Sequence, residues 1–498
     1  RAMELSPARD SFDDDPDDDD DEESASPAPQ PPAFGSRGLL AGCISVLAVL
    51  IGFFALTLPL EPPPPAVPFV SARGQRLFRG DEQRRFMGAN LWYAVHLGCR
   101  GCDRDRLDRE LDALKAAGVS SVRINALSEG PDDEPWRVVP TLQPAAGEFV
   151  EDIAVGLDYT LQALEARGMD ATVTLHNMWP WSGGFAQYVS WTSGEPIPYP
   201  PPAEGGDWGV FQAYAARFYD DEEAMDLADA AIEHVVGRTS SLSGEPLARS
   251  PAILAWELCN EPRGDSRFAS YHAWLQRAAA LVKRLDPNHL VAIGSEGTTP
   301  FDNVGVDVLR DHALAEIDVM TIHVWPQNWA WYEPLPAEAS DASLSSALGK
   351  ATAYVQAHVA MAAQLNKPLI LEEFGLARDG EGFTPQSTDA HRRRFYGEMF
   401  AQVLASQLPS AAAEISGVSF WAWAGEGRPR EPGRFWRRGD DLVGDPPHER
   451  QGWYSVFDED HEMTELLAAT AARINGNASS PFYARPQDAR LPWVYAPV

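Results

Sequence analysis

From about residue 69 onward, hydrophobic and polar positions alternate between two patterns. Short β-rich runs occupy Arg85–Asn90, Ser121–Asn125, Ala171–His176, Ile253–Leu258, His289–Ile293, Val319–Val324, Leu369–Phe374 and Val418–Trp423. Between and after them lie Arg104–Ala117, Ile153–Arg167, Asp221–Val236, Phe268–Leu285, Val304–Ala313, Leu344–Leu365, Asp389–Ser406 and Met463–Ile474, whose apolar residues recur at helical spacing. Eight strand–helix alternations in one unit, residues 69–498, predict an α/β fold: a (β/α)8 TIM barrel with enlarged βα loops. A doubly wound sheet would want a glycine-rich phosphate turn after its first strand, and the run Arg84–Tyr93 has none.

Ahead of residue 69 the alternation stops. Residues 1–38 hold twelve acids against three bases and then turn Pro- and Ser-rich, which predicts a disordered acidic tail. Leu39–Leu58 carries no charge over twenty residues, the length a helix needs to cross a bilayer, so 39–58 is expected to be a transmembrane anchor. A cleaved signal segment is the rival; it would start nearer the N-terminus behind a short basic leader. The lipobox-like Leu40–Cys43 is set aside because the apolar run continues well past Cys43. Residues 59–68 read as a Pro-rich linker. The expected location is membrane-anchored with the catalytic domain outside the cytosol, or secreted if the apolar segment is cleaved.

The 498 residues carry a formal charge of -33, which speaks against nucleic acid or anionic lipid surfaces as partners. Four cysteines exclude a disulfide scaffold. Cys99 and Cys102 lack two further ligands for zinc and leave open either a disulfide or free thiols, while Cys259 reads as a small packing residue. Sixteen tryptophans and thirteen tyrosines suit sugar faces. The run Trp325, Trp329, Trp331 and Tyr332 is expected to line such a groove.

In a barrel of this type the chemistry sits at the C-terminal ends of the strands. Those ends supply Asn90, Trp92, Arg123, His176, Asn177, Asn260, Glu261, Glu296, His323, Trp325, Glu373 and Trp421. No group of His or Cys has metal-ligand spacing, so no metal and no cofactor is expected. Two carboxylates stand out: Glu261, ending the fourth strand, and Glu373, ending the seventh. Each could be a structural ion-pair partner of Arg123 or Arg263. Facing each other across the mouth, they are what glycoside hydrolysis needs.

Around these residues the chain resembles glycoside hydrolase family 5, and within it the endo-β-1,4-mannanases of the bacterial branch, over about residues 75–475. The resemblance rests on Asn260-Glu261-Pro262-Arg263, Glu373-Phe374-Gly375, Thr321–Pro326, Ser419–Pro429 and Trp179–Trp191. It implies that Glu261 is the acid/base and Glu373 the nucleophile, with Arg123 keeping the nucleophile ionised. It further implies Asn260 on the sugar 2-hydroxyl, His323 orienting the catalytic pair, Trp421 as the sugar floor, and Arg263 on the leaving-group side. Trp92, His176 and Asn177 are further expected substrate contacts. Strand alternation is expected to turn Glu372 away from the site. Many family members carry a tyrosine two residues after the sixth-strand histidine; here the position is Trp325. The function implied is retaining cleavage of internal β-1,4-mannosidic bonds in mannan, glucomannan or galactomannan, by a monomer. The alternatives are a β-glucanase or other β-glycosidase of the same family, and a non-catalytic sugar-binding protein on a membrane stalk.

Overall fold

The structure, a computed structural model, describes residues 67–475 apart from 302, 303 and 336. The expected parallel barrel forms from β4 (Phe86–Asn90), β5 (Ser121–Asn125), β6 (Asp170–Asn177), β7 (Ile253–Asn260), β8 (Leu290–Ala292), β9 (Met320–Val324), β10 (Leu369–Phe374) and β11 (Ile415–Phe420). Hydrogen bonds order them β8-β7-β6-β5-β4-β11-β10-β9. A parallel bridge between Ala292 and Val319 joins the two outermost strands and closes the sheet. Every residue of these strands is buried, as a sheet sheathed in helices and filled by its own side chains requires. The helix Phe268–Leu285 shows how the sheath attaches: Tyr271, Trp274, Leu275, Ala278, Ala279 and Val282 recur at three- and four-residue steps and are all buried.

The base of the barrel holds an element the pattern does not reveal. β1 (Val70–Arg73), β2 (Arg76–Arg79) and β3 (Glu82–Arg84) form a three-stranded antiparallel sheet. Its Val70 and Leu77 pack with Phe86, Leu254, Leu290, Val319 and Ile370, which lie at or near the N-terminal starts of barrel strands. Strands of three or four residues, rich in arginine, are too short to show a period in the sequence.

Other boundaries differ for local reasons. The last barrel strand stops at Phe420; the Trp421–Ala422 peptide is cis, and the Trp421 carbonyl accepts from Tyr396 Oη at 2.8 Å. Trp423 opens a separate parallel pair of β12 (Trp423–Gly425) with β13 (Val456–Phe457). The helix expected over 304–313 spans only Val308–His312, because the Asp307 carboxylate caps it by accepting from Arg310 N. The helix expected from Leu344 starts earlier, at Ala337. The long connection after β6 carries two unforeseen helices, Gly184–Ser193 and Trp208–Ala215. Of the two readings of the loop cysteines, the structure pairs Cys99 with Cys102, while Cys259 is free and buried. The tail, anchor and most of the linker, residues 1–66, lie outside the described residues. Among the described residues no helix is long and apolar enough to cross a membrane.

Candidate active site

Glu261 and Glu373 do converge. Glu261 follows the last residue of β7 with φ 52°, a left-handed backbone that a residue with a side chain adopts at some cost. It is held there by its own N–H, which donates to Gly294 O at 2.8 Å. Glu373 lies near the end of β10. An oxygen of each carboxylate and a ring nitrogen of His323 all lie within 4.8 Å of one another. The close approach of the two acids is in keeping with a retaining pair, whose carboxyl groups lie ~5–5.5 Å apart, rather than with the ~6.5–9.5 Å of an inverting pair.

Different donors serve the two acids. Glu373 is bonded directly by Arg123 Nη1. Glu261 contacts His323 Nδ1 at 2.6 Å and accepts indole N–H bonds from Trp179 at 2.6 Å and Trp325 at 3.2 Å. Burial pushes both carboxyls up. For Glu261 the effect is offset by Arg263 and the tryptophan bonds; for Glu373 it is offset by Arg123 and reinforced by Glu261 and Glu257. Both carboxyls are thus shifted toward the protonated form, and the guanidinium bonded to Glu373 favours the charge on that acid. Burial, with Arg123 adding, pushes His323 down to about 3, so its imidazole is neutral. Glu261, His323 and Glu373 are also the one group of donors among the described residues close enough for a metal ion. The N–H donors already on both carboxylates make it an acid–base pair instead.

Arg123 is itself held on all sides. It donates to both oxygens of Glu257 (2.9 and 2.5 Å), to Asn90 Oδ1 (3.1 Å) and to Asn260 Oδ1 (2.8 Å). Asn260 Nδ2 donates to Asn177 Oδ1 at 3.1 Å, and the residue lines the groove. Asn177 also accepts from Trp179 N, so it braces the site from behind.

A groove of about 1060 Å³ opens over the acids. Trp421 lines it, as expected of a sugar floor. Gly375 of the Glu-Phe-Gly motif lets two tryptophans seat here: a Cβ on it would meet the Trp325 ring at 2.9 Å and Trp421 O at 3.2 Å. Trp325 and Trp329 line the groove, whereas Trp331 packs on Trp329 and Tyr354 and Tyr332 bonds His391. Trp325 donates to Glu261 rather than to Glu373.

Several expected contacts are placed elsewhere. Trp92 is buried behind the groove, its indole N–H on Gly444 O at 3.0 Å and its ring edge-on to Trp181. His176 is fully enclosed beside Phe185, Tyr188 and Glu129. Arg263 lines the groove, but its carboxylate partner is Glu296, bonded at 2.7 and 2.8 Å, with Gln212 on Nη1; its guanidinium also lies over Trp179 and Phe301. Sequence reasoning assigned no role to Trp179 or Glu257, although Glu257 recurs on the strand of Glu261. It also misplaced Glu372. The register of β10 against β9 shifts between Leu371 and Glu373, so Glu372 is an extra residue with no partner opposite. Both glutamates therefore enter the barrel, with Glu372 Oε1 3.8 Å from Arg123 Nε.

A parallel eight-stranded barrel with a buried carboxylate pair at this spacing defines a glycosidase. The chain belongs to glycoside hydrolase family 5: the family profile described as GH family 5 beta-mannosidase-like matches residues 67–478. A rice mannan endo-1,4-beta-mannosidase 2 is 28% identical over 381 residues, 73% of this chain and 78% of its own. Tomato mannan endo-1,4-beta-mannosidase 1 is 29% identical, over 60% of this chain and 71% of its own. A family 5 mannosidase structure from Rhizomucor miehei superposes with TM-score 0.74 at 34% identity, covering 82% of this chain and 97% of that one. The endo-β-1,4-mannanase of Thermotoga petrophila, at 22% identity and TM-score 0.59, shares the fold.

Proposed function

We propose that the chain is a retaining hydrolase of β-1,4-mannosidic bonds in mannan-type chains. The observation that carries this reading is the Glu261–Glu373 pair, with Arg123 on one acid and three nitrogen groups on the other. Glu373 attacks the anomeric carbon while Glu261 protonates the leaving oxygen. Glu261 then takes a proton from the water that releases the glycosyl–enzyme. The names of the curated relatives and of the mannosidase structures support mannose as the sugar. Turnover of glucomannan and galactomannan with no release from cellulose or β-1,3-glucan is the expected result; cleavage of cellulose at a similar rate would replace mannan by glucan.

The attack mode has a second reading with its own observation. The curated relatives' names support internal bonds, as the sequence suggested. Among the described residues, however, the groove is lined by the ends of, and the segments that follow, β6 to β11. The side near β4 and β5 is covered by the 426–455 loop. That loop is fastened there by Trp92 to Gly444 O, Arg106 to Leu442 O, Arg109 to Glu426 and Arg438 to Asp132. Glu261 marks the leaving-group side, so the covered end is where the sugar beyond the attacked unit would go. This favours cleavage at chain ends. Mannohexaose products decide: mannose alone supports end attack, and mannobiose with mannotriose from the first turnovers supports internal attack.

An anchor at residues 39–58 with the catalytic unit outside the cytosol belongs to the same proposal, on composition alone. Recovery of the full chain in the soluble fraction would remove it.

A further inference from the structure

Glu372, brought inward by the irregularity in β10, is 1% exposed, and neither of its oxygens accepts a hydrogen bond. The charged and titratable groups facing it are Glu257 from β7, Arg123 from β5, His323 from β9 and its neighbour Glu373; Glu261 and Glu296 stand beyond His323. One guanidinium confronts three carboxyls, and its bonds go to Glu257 and Glu373. An ionised carboxylate buried without a donor is strongly disfavoured, so Glu372 carries a proton. Burial, then the charge of Glu257, a hydrogen bond from the protonated carboxyl to Glu257, and Glu373 push Glu372 well above the usual range against the pull of Arg123.

That proton has a route. Glu372 Oε2 faces His323 Nε2 at 3.7 Å, and this nitrogen has no hydrogen-bond partner. The other ring nitrogen, Nδ1, is 2.6 Å from Glu261 Oε1. A neutral imidazole between two carboxyls passes a proton by taking one at Nε2 and releasing one at Nδ1.

We propose that Glu372 is a positioning residue for the acid/base, sharing one proton with Glu261 through His323. In one state Glu372 is protonated and His323 Nδ1–H donates to the Glu261 carboxylate, the form needed to activate water. In the other, Glu261 holds the proton needed by the leaving oxygen, and His323 Nε2–H faces an ionised Glu372. Between them a proton leaves Glu372 Oε2 for Nε2 and another leaves Nδ1 for Glu261 Oε1. Total charge is unchanged and no outside reactant is required.

The inference rests on the retaining reading, which a separate measurement checks: wild-type enzyme labelled at Glu373 by a 2-deoxy-2-fluoro mannoside. Absence of label would overturn that reading irrespective of Glu372. The relay is tested with Glu372→Gln, which keeps the shape but holds no labile proton. The proton of Glu261 then leaves without the charge of Glu372 across His323 to oppose it, so the basic limb of kcat/KM moves down by about one pH unit. The rate falls about tenfold more on mannobiose, whose leaving group needs the proton, than on dinitrophenyl β-mannoside, whose leaving group does not. Equal losses on both substrates with the basic limb unmoved would mean a merely structural residue and overturn the proposal. Glu372→Asp keeps a buried acid but withdraws it from His323, and serves if the Gln variant does not fold. The same split between substrates is expected, and wild-type behaviour would refute the relay.

Discussion

The two ends of the barrel treat buried acids in opposite ways. At the base, Asp170 is met by two arginines, Arg79 at 2.7 Å and Arg84 at 3.0 Å. Glu414 there is met by Arg85 at 2.7 Å, with Gln83 donating at 2.7 Å. At the mouth the ratio reverses, and Glu257, Glu372 and Glu373 gather around Arg123 alone. Burial alone would raise Asp170, yet Arg84 and Arg79 hold it below the usual carboxylate range. Glu372 and Glu373 go the other way, raised by burial that one cation cannot offset. Cations in excess fix charge and fasten the hairpin to the barrel. Cations in deficit leave protons bound where chemistry can use them.

The sharpest test of the contrast is removal of the mouth's acids. Glu373→Ala is expected to lose activity by at least about 10⁴-fold, because no glycosyl intermediate can form. Glu261→Ala should lose about 10²–10⁴-fold on unactivated substrates. Added azide is expected to give inverted product with the first variant and retained product with the second. The opposite pairing would exchange the two roles.

Next comes Arg123→Met. Withdrawing that cation takes the guanidinium bonds from Glu257 and Glu373 and leaves the buried acid cluster without it, so a stability loss of about 3–5 kcal/mol in denaturant titration is expected, along with the loss of most activity. A stable, active variant would break the claim that this guanidinium organises the mouth.

A pH series separates the ends more finely. The Asp170 carboxyl is lowered in the folded state, so its contribution is present above the unfolded value and lost as pH falls through the folded one. Asp170→Asn should therefore cost about 3 kcal/mol near neutrality and progressively less in acid, with turnover by the folded enzyme little changed. Glu372 is raised, so its contribution is present below the unfolded value and lost as pH rises through the folded one. Glu372→Gln should gain stability relative to wild type as pH rises. Parallel curves for the two variants would erase the contrast.

The smallest expected effect lies at the rim. Trp208, 37% exposed, stands edge-on to Trp179 and lines the open side of the groove. Trp208→Ala is expected to weaken use of longer leaving groups by about 1 kcal/mol, read as KM for mannotetraose against mannobiose.

The contrast also marks what the sequence could reveal. Strand ends and the motifs at Glu261 and Glu373 are local, and the barrel rule turns local positions into one site. Arg123, Asn260, His323 and Trp421 fell where that rule puts them. Trp92 and His176 were misjudged because a strand end can point into packing as easily as into a groove. Glu372 was misjudged because alternation assumes an unbroken ladder, and the irregularity depends on the pairing of β10 with β9. The base hairpin was invisible because its strands are short and its ion pairs reach acids distant in the chain, such as Arg79 with Asp170.

The hairpin at the base also determines how the enzyme can be handled. Val70, near the first described residue, packs against the starts of the barrel strands, at the end opposite the groove. Anything fused ahead of Val67, whether a natural tether or a resin-bound tag, is attached at the closed face. An enzyme immobilised through that point should present its mouth to the bulk phase, and a bulky polysaccharide should reach it as readily as a short oligosaccharide does.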